Sequence, residues 1–207
     1  AVYAASEGLS VVAVDAMAPG GQAGSSSKIE NYLGFPSGVS GRELAERASV
    51  QAQKFGVRIA APASAASLEK LDGEYCVSLV DGRKLRARSV VIASGAEYRK
   101  LPVENLETYE GRGVYYGATA MEAQLCKGAS VAIVGAGNSA GQAATFLSTL
   151  CEEVHVLYRR PDIRDTMSEY LVRRLEETPN IHLYASASVA ALEGDGTRLR
   201  RIGIRSG

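Results

Sequence analysis

Gly135, Gly137 and Ala140 stand at G-x-G-x-x-A spacing in IVGAGNSAG, and Arg159, Arg160 and Arg164 follow in YRRPDIR. Both groups suit phosphate. A first glycine permits a tight turn, a second lets the backbone approach a pyrophosphate, and a small third residue keeps a helix close to its strand. A helix starting near Asn138 and Ser139 offers free N–H groups and a positive dipole end to the same phosphates. The arginines meet a different demand. A dinucleotide unit for NAD normally closes its second strand with a carboxylate that holds the ribose hydroxyls, and a carboxylate would repel a 2′-phosphate. Guanidinium forks suit that dianion instead. Two charge-assisted bonds of about 1.5 kcal/mol each give on the order of a hundredfold preference for NADPH over NADH. The pairs Arg173-Arg174 and Arg200-Arg201 lack that position and read as solvated surface.

The elements needed to hold these residues are legible around them. SVAIV is a strand before the glycines, AGQAATFL a helix after them, and VHVLY a second strand ending at the arginines. TMSEYLVRRLEETPN is amphipathic and stops before Pro179, and IHLYAS resumes strand. Upstream, AVYAASEGL reads as the end of a helix stopped by Gly8, feeding the strand LSVVAVD. A long Gly- and Ser-rich stretch follows Asp15, of the kind that is functional or mobile. Ser40 and Glu43 form a capping box for a helix ended by Gly56. EYCVSLV-DG-RKLRARS predicts a hairpin with Asp81-Gly82 as a two-residue turn, and SVVIASGA predicts a buried strand ending in small residues. PVENLETYEGRG is polar and turn-rich, which puts a domain boundary near Gly111–Gly113: residues 1–112, then 113–207. TAMEAQLC is a short helix. The fold class is α/β, with two Rossmann-like, doubly wound, three-layer domains.

Composition narrows the rest. Lys+Arg and Asp+Glu are both 23, so no global field draws the chain to nucleic acid or an anionic membrane. The apolar runs are too short to span a bilayer. Cys76, Cys126 and Cys151 form no C-x-x-C, and with only His155 and His182 besides, no metal site is expected. Sparse, odd cysteines suit a reducing cytoplasm. A chain opening inside a helix and closing on the strand-like RLRRIGIRSG reads as a fragment.

Five segments in order, VVAVDAMAPGGQAGSSSKIENYLGFP, VVIASGA, GRGVYYGATA, VAIVGAGNSA and YRRPDIR, resemble the low-molecular-weight bacterial thioredoxin reductase family over essentially the whole chain. The resemblance implies that Asp15 takes the place of the acid binding the FAD ribose. Gly20, Gly21 and Gln22 match the family's GGQ loop beside the flavin, Asn31 the Asn of its E-N pair, and Ala93, Ser94, Gly95 and Ala96 its A-T-G-A turn near the cofactor. Arg159, Arg160 and Arg164 match its H-R-R-x-x-x-R motif for the 2′-phosphate, with Tyr158 replacing the His.

Three departures accompany the likeness. Gly117 and Ala120 stand where the redox-active C-x-x-C should fall, so no dithiol can pass electrons to a disulfide. The family's first G-x-G-x-x-G and its last FAD-contacting segment are both missing, which leaves the FAD domain incomplete and leaves open a partial NADPH domain. The implied function is an NADPH-dependent FAD oxidoreductase, expected as a homodimer. Its acceptor would be a ferredoxin-like protein, a quinone or oxygen. No catalytic acid, base or thiol is assigned, because the cofactors carry the hydride chemistry. The competing reading is a non-catalytic NADPH-binding regulatory or sensing module fused to a signalling domain. A true thioredoxin reductase with relocated thiols is disfavoured, because no cysteine pair has suitable spacing.

Overall fold

A computed structural model describes residues 1–95, 97 and 99–207, in two compact units, Ala1–Ala96 and Glu97–Gly207. In the first, helix α1 (Val2–Ser6) leads past Gly8 into strand β1 (Val12–Val14). The one-turn helix α2 (Gly21–Gly24) and the longer α3 (Gly41–Lys54) follow, and strand β2 (Arg58–Ala60) lies parallel to β1 with Val12 opposite Arg58. Parallel strands need a crossover, and α3 is part of it. Ala5, Ala52 and Val57 form the small core beneath. Ser40 Oγ accepts the Glu43 N–H at 3.2 Å, so half of the expected capping box is made; the Glu43 carboxylate turns to Arg47, 2.6 Å away.

The Gly- and Ser-rich stretch is more ordered than its composition implies. Ile29 and Val39 exchange backbone bonds of 2.8 and 3.0 Å, and Gly41 N–H reaches Ser26 O at 2.8 Å. A Cβ at Gly41 would sit 1.7 Å from Ala23 O, so α2 rests directly on the start of α3.

Three antiparallel strands follow, β3 (Ala65–Leu71), β4 (Glu74–Leu79) and β5 (Lys84–Ala87). The two-residue turn is Asp72-Gly73, both at positive φ, between the paired Leu71 and Glu74. The expected two-residue turn at Asp81-Gly82 is instead a three-residue loop. Leu79 N–H donates to Arg83 O at 2.8 Å, with Gly82 at φ +88°. This is a reverse turn followed by a left-handed residue. The sequence signal "Asp-Gly" stands at both turns of this sheet, and it does not fix loop length. SVVIASGA, expected as a buried strand, is not one. Strand structure ends at Ala87, and Val91 and Ile92 are 90% and 73% exposed. An apolar run becomes an interior strand only where other strands flank it. No described strand pairs with residues 89–95.

The second unit runs α4 (Leu106–Tyr109), α5 (Ala120–Leu125), β6 (Ser130–Val134), α6 (Asn138–Leu147) and β7 (Glu153–Leu157). A 3-10 turn (Ile163–Asp165), α7 (Glu169–Glu177), β8 (Ile181–Tyr184), β9 (Ala187–Gly194) and β10 (Leu199–Ser206) complete it. Strands β6, β7 and β8 form a parallel sheet in that order, with β7 central. The β–α–β–α–β succession is a Rossmann-like half, and the chain is α/β. Val154 and Val156 face Ala144, Leu171, Val172 and Leu175, all essentially inaccessible, so α6 and α7 cover one face of the sheet. β9 and β10 pair antiparallel, and Leu192 of β9 packs with Leu106 and Tyr109. That burial attaches residues 97–112 to the second unit, 16 residues before the boundary expected from the polar look of PVENLETYEGRG.

Candidate functional site

The glycine turn and the arginine strand tip lie side by side at the carboxyl end of the parallel sheet. Gly135 N–H donates to Leu157 O at 3.0 Å, continuing the register that sets Val134 opposite Leu157. Adjacent strands run about 4.8 Å apart, so Tyr158 and Arg159 emerge next to the turn. Gly135 sits at φ +153°, and a Cβ there would lie 3.3 Å from the Ala140 Cβ. Small residues at both positions keep α6 on its strand. At Gly137 a Cβ would meet nothing within 4 Å, so the space before the turn is open. The hydrogen-bond ladder of α6 begins with Ala140 and Gly141 N–H, both on Gly137 O. The N–H groups of Asn138 and Ser139 precede it, first-turn donors of the kind that can serve an anion.

Three bonds fasten the arginine-bearing segment to this turn. Thr166 Oγ1 donates to Ala136 O at 2.8 Å, Asn138 Nδ2 to Ser168 Oγ at 3.0 Å, and Ser168 N–H to Asn138 Oδ1 at 2.7 Å. The Asn138 side chain is therefore a brace, and only its backbone N–H is offered to a ligand. Asn138→Ala leaves Ser168 without two partners in a half-buried place, and is expected to cost about 1–2 kcal/mol in a denaturant titration.

The three arginines differ in what already holds them. Arg159 has no hydrogen-bond or ion-pair partner among the described residues. Arg160 Nη1 lies 3.7 Å from Asp165. Arg164 is the most engaged: its Nη2 donates to both oxygens of Glu176, at 2.8 and 3.0 Å. Tyr158, the replacement for the family's His, is buried, and burial pushes its hydroxyl pKa up, so it stays neutral. Of the outlying pairs, Arg173 meets Glu169 at 3.0 Å and Arg200 meets Asp195 at 3.0 Å, all exposed, whereas Arg174 is half-buried with its guanidinium 5.7 Å from the Tyr170 ring centroid.

The model of the family described as pyridine nucleotide-disulphide oxidoreductase matches residues 1–204. The chain belongs to that family. Among its relatives in this pyridine nucleotide-disulphide oxidoreductase family, the thioredoxin reductase of Ureaplasma parvum is 34% identical over 184 residues, 89% of this chain and 58% of the relative. The Bacillus subtilis thioredoxin reductase is 36% identical over 165 residues, 79% and 51%. The crystal structure of T. acidophilum thioredoxin reductase superposes with a TM-score of 0.90 at 28% identity, covering all of this chain and 66% of that one. The Lactococcus lactis thioredoxin reductase, at 23% identity and TM-score 0.89, shows the shared fold over 99% of this chain and 65% of its own. The chain thus spans about half to two thirds of these four proteins. Its family likeness is to thioredoxin reductases, without their C-x-x-C.

The expected flavin-side residues are only partly assembled. Asp15 follows β1 at its carboxyl end, and its Oδ1 accepts the Met17 N–H at 2.8 Å. Gly20 caps α2, which contains Gly21 and Gln22, and Asn31 is exposed in the loop beyond. Ala93, Ser94 and Gly95 lie in the exposed, strandless segment, with no hydrogen bond to β1 among the described residues. Ala96 lies outside the described residues.

The fold does bring two cysteines together that sequence spacing separates. The Cys151 thiol donates to Cys126 O at 3.4 Å, where α5 ends beside the entry to β7. Burial raises the pKa of both thiols, which keeps them protonated and poor nucleophiles. At the place of the missing dithiol, Thr119 caps α5 and the Glu122 carboxylate accepts the Thr119 N–H at 3.0 Å. That segment is a helix start. Sequence reasoning missed Thr166, Ser168 and Glu176, whose only signal was their polar type soon after the arginines. No described helix is long and apolar enough to cross a membrane, and no cluster of metal ligands occurs among the described residues.

Proposed function

We propose that residues 97–207 form the NADPH-binding part of a thioredoxin reductase-type oxidoreductase that hands electrons to something other than an internal disulfide. The observation that carries this reading is the Gly135–Leu157 bond, which sets an open glycine turn beside the strand end leading to Arg159, a residue with no partner among the described residues. The residues support a nucleotide there: Gly137 leaves room for a pyrophosphate, the N–H groups of Asn138 and Ser139 would serve it, and Arg159 and Arg160 at the next strand's end would meet a 2′-phosphate. FAD and NADPH are the family's cofactors, and together they supply hydride transfer. This chain's residues bind and orient. With the C-x-x-C positions held by Gly117 and Ala120, electrons would leave toward a ferredoxin-like protein, a quinone or oxygen. Titration of the 207-residue chain with NADP⁺ and NAD⁺ tests the nucleotide assignment, and equal affinities would remove it.

The flavin side fits less well. Asp15 and the Gly20-Gly21 loop suit a ribose and a flavin edge, but the Ala93–Gly95 turn stands on a run whose Val91 and Ile92 face solvent. We expect the 207-residue chain to purify colourless and to retain no flavin absorbance after incubation with FAD and gel filtration. A stable yellow product would overturn this. In a protein that retains flavin, oxidation of NADPH with an artificial acceptor separates the oxidoreductase from a sensing module, which would bind the nucleotide without turnover.

A further inference from the structure

We propose that Glu176 is a specificity-determining residue, a built-in competitor of the nucleotide's 2′-phosphate for Arg164; this rests on the NADPH reading above. Arg164 has five N–H donors in a fixed fork. Nη2 donates to the Glu176 carboxylate, 2.8 and 3.0 Å from its two oxygens, while Nε lies 3.6 Å from Glu169 and Nη1 3.9 Å from Asp162. Three carboxylates thus surround one guanidinium, and an arriving phosphate dianion must displace or repel them.

Of the three, Glu176 is the one with no other task. Glu169 also pairs with Arg173 at 3.0 Å, and the Asp162 carboxylate accepts the Arg164 backbone N–H at 2.9 Å, capping the 3-10 turn. Glu176 has Arg164 as its one partner among the described residues. It also sits in the last turn of α7, where the helix dipole disfavours negative charge. Its placement therefore costs the helix a little and acts on Arg164. The surrounding balance points the same way: between Tyr158 and Glu177, five arginines face five carboxylates, so the arginine motif is locally neutral. Discrimination for the phosphate falls mainly on Arg159, and Glu176 sets how much Arg164 adds.

The test is a set of titrations of the whole 207-residue chain with NADP⁺ and NAD⁺ at one fixed salt concentration, on wild type, E176Q, R164A, R164A/E176Q and R159A. Glu176 and Arg164 are both nearly half exposed, a setting where ion pairs are weak, so E176Q is expected to raise the NADP⁺:NAD⁺ affinity ratio about three- to fivefold. In the R164A background the same change should do nothing. A ratio that stays level or falls in E176Q, while wild type still prefers NADP⁺ and R159A still loses that preference, overturns the competitor role and leaves the NADPH reading standing. No preference in wild type together with a silent R159A overturns both. Circular dichroism melting confirms that each variant is folded, and E176A supplies a second, shorter side chain that must move the ratio in the same direction.

Discussion

Arg159→Ala is expected to lower affinity for NADP⁺ about tenfold and to remove most of its advantage over NAD⁺, by calorimetric titration at fixed ionic strength. One charge-assisted hydrogen bond to a phosphate is worth about 1.5 kcal/mol, which is roughly that factor. Arg159 is singled out because its guanidinium has no partner to give up among the described residues. Arg164 must first part from Glu176, so Arg164→Ala should cost only about threefold, and Arg160, near Asp165, should fall between. Three arginines that look equivalent in YRRPDIR are thus ranked by their neighbours. The ranking also carries a salt signature. The contact lies at the surface, where added salt screens charge, so the wild-type preference should shrink between low and high ionic strength and the Arg159→Ala response should flatten. Equal losses at all three positions would mean that the carboxylates around Arg164 and Arg160 do not compete with the ligand.

What the sequence disclosed and what it hid follow a physical division. The strand, glycine turn, helix and strand around Gly135 were legible because each is a local pattern: apolar periodicity, a glycine spacing, a charged strand end. Burial by distant partners was not legible. Leu106 and Tyr109 sit in polar surroundings in PVENLETYE, yet they are core because Leu192, more than eighty residues on, lies against them. Val91 and Ile92 read as core and are exposed, because interior strands are made by their neighbours. Within the site, the glycines and arginines announced themselves, whereas Asn138 with Ser168 and Arg164 with Glu176 are pairs 30 and 12 residues apart that only the fold brings together. The repeated Asp-Gly illustrates the limit of a turn signal: Asp72-Gly73 closes a two-residue turn, and Asp81-Gly82 does not.

Gly135→Val should abolish binding of both nucleotides alike, by at least about thirtyfold, where Arg159→Ala spares NAD⁺. The backbone at 135 has φ +153°, a conformation L-residues rarely take, and forcing one there costs about 1–3 kcal/mol. The added Cβ would press on Ala140 at 3.3 Å, and the valine methyls would lie closer still. Relief requires α6 to lift from its strand, which moves the Asn138 and Ser139 N–H groups from the pyrophosphate position. About 2 kcal/mol lost there corresponds to roughly thirtyfold. The sheet itself should survive, because Val154, Val156, Leu171 and Leu175 hold it without Gly135. A near-native circular dichroism spectrum is therefore expected beside the lost affinity. The two variants together separate the parts of the site. If the glycine turn cradles a pyrophosphate common to both nucleotides, Gly135→Val lowers both affinities and keeps their ratio, while Arg159→Ala changes the ratio. Should Gly135→Val retain NADP⁺ binding, the phosphates lie somewhere other than this turn, and the strand-tip arginines lose the geometry that gave them their role.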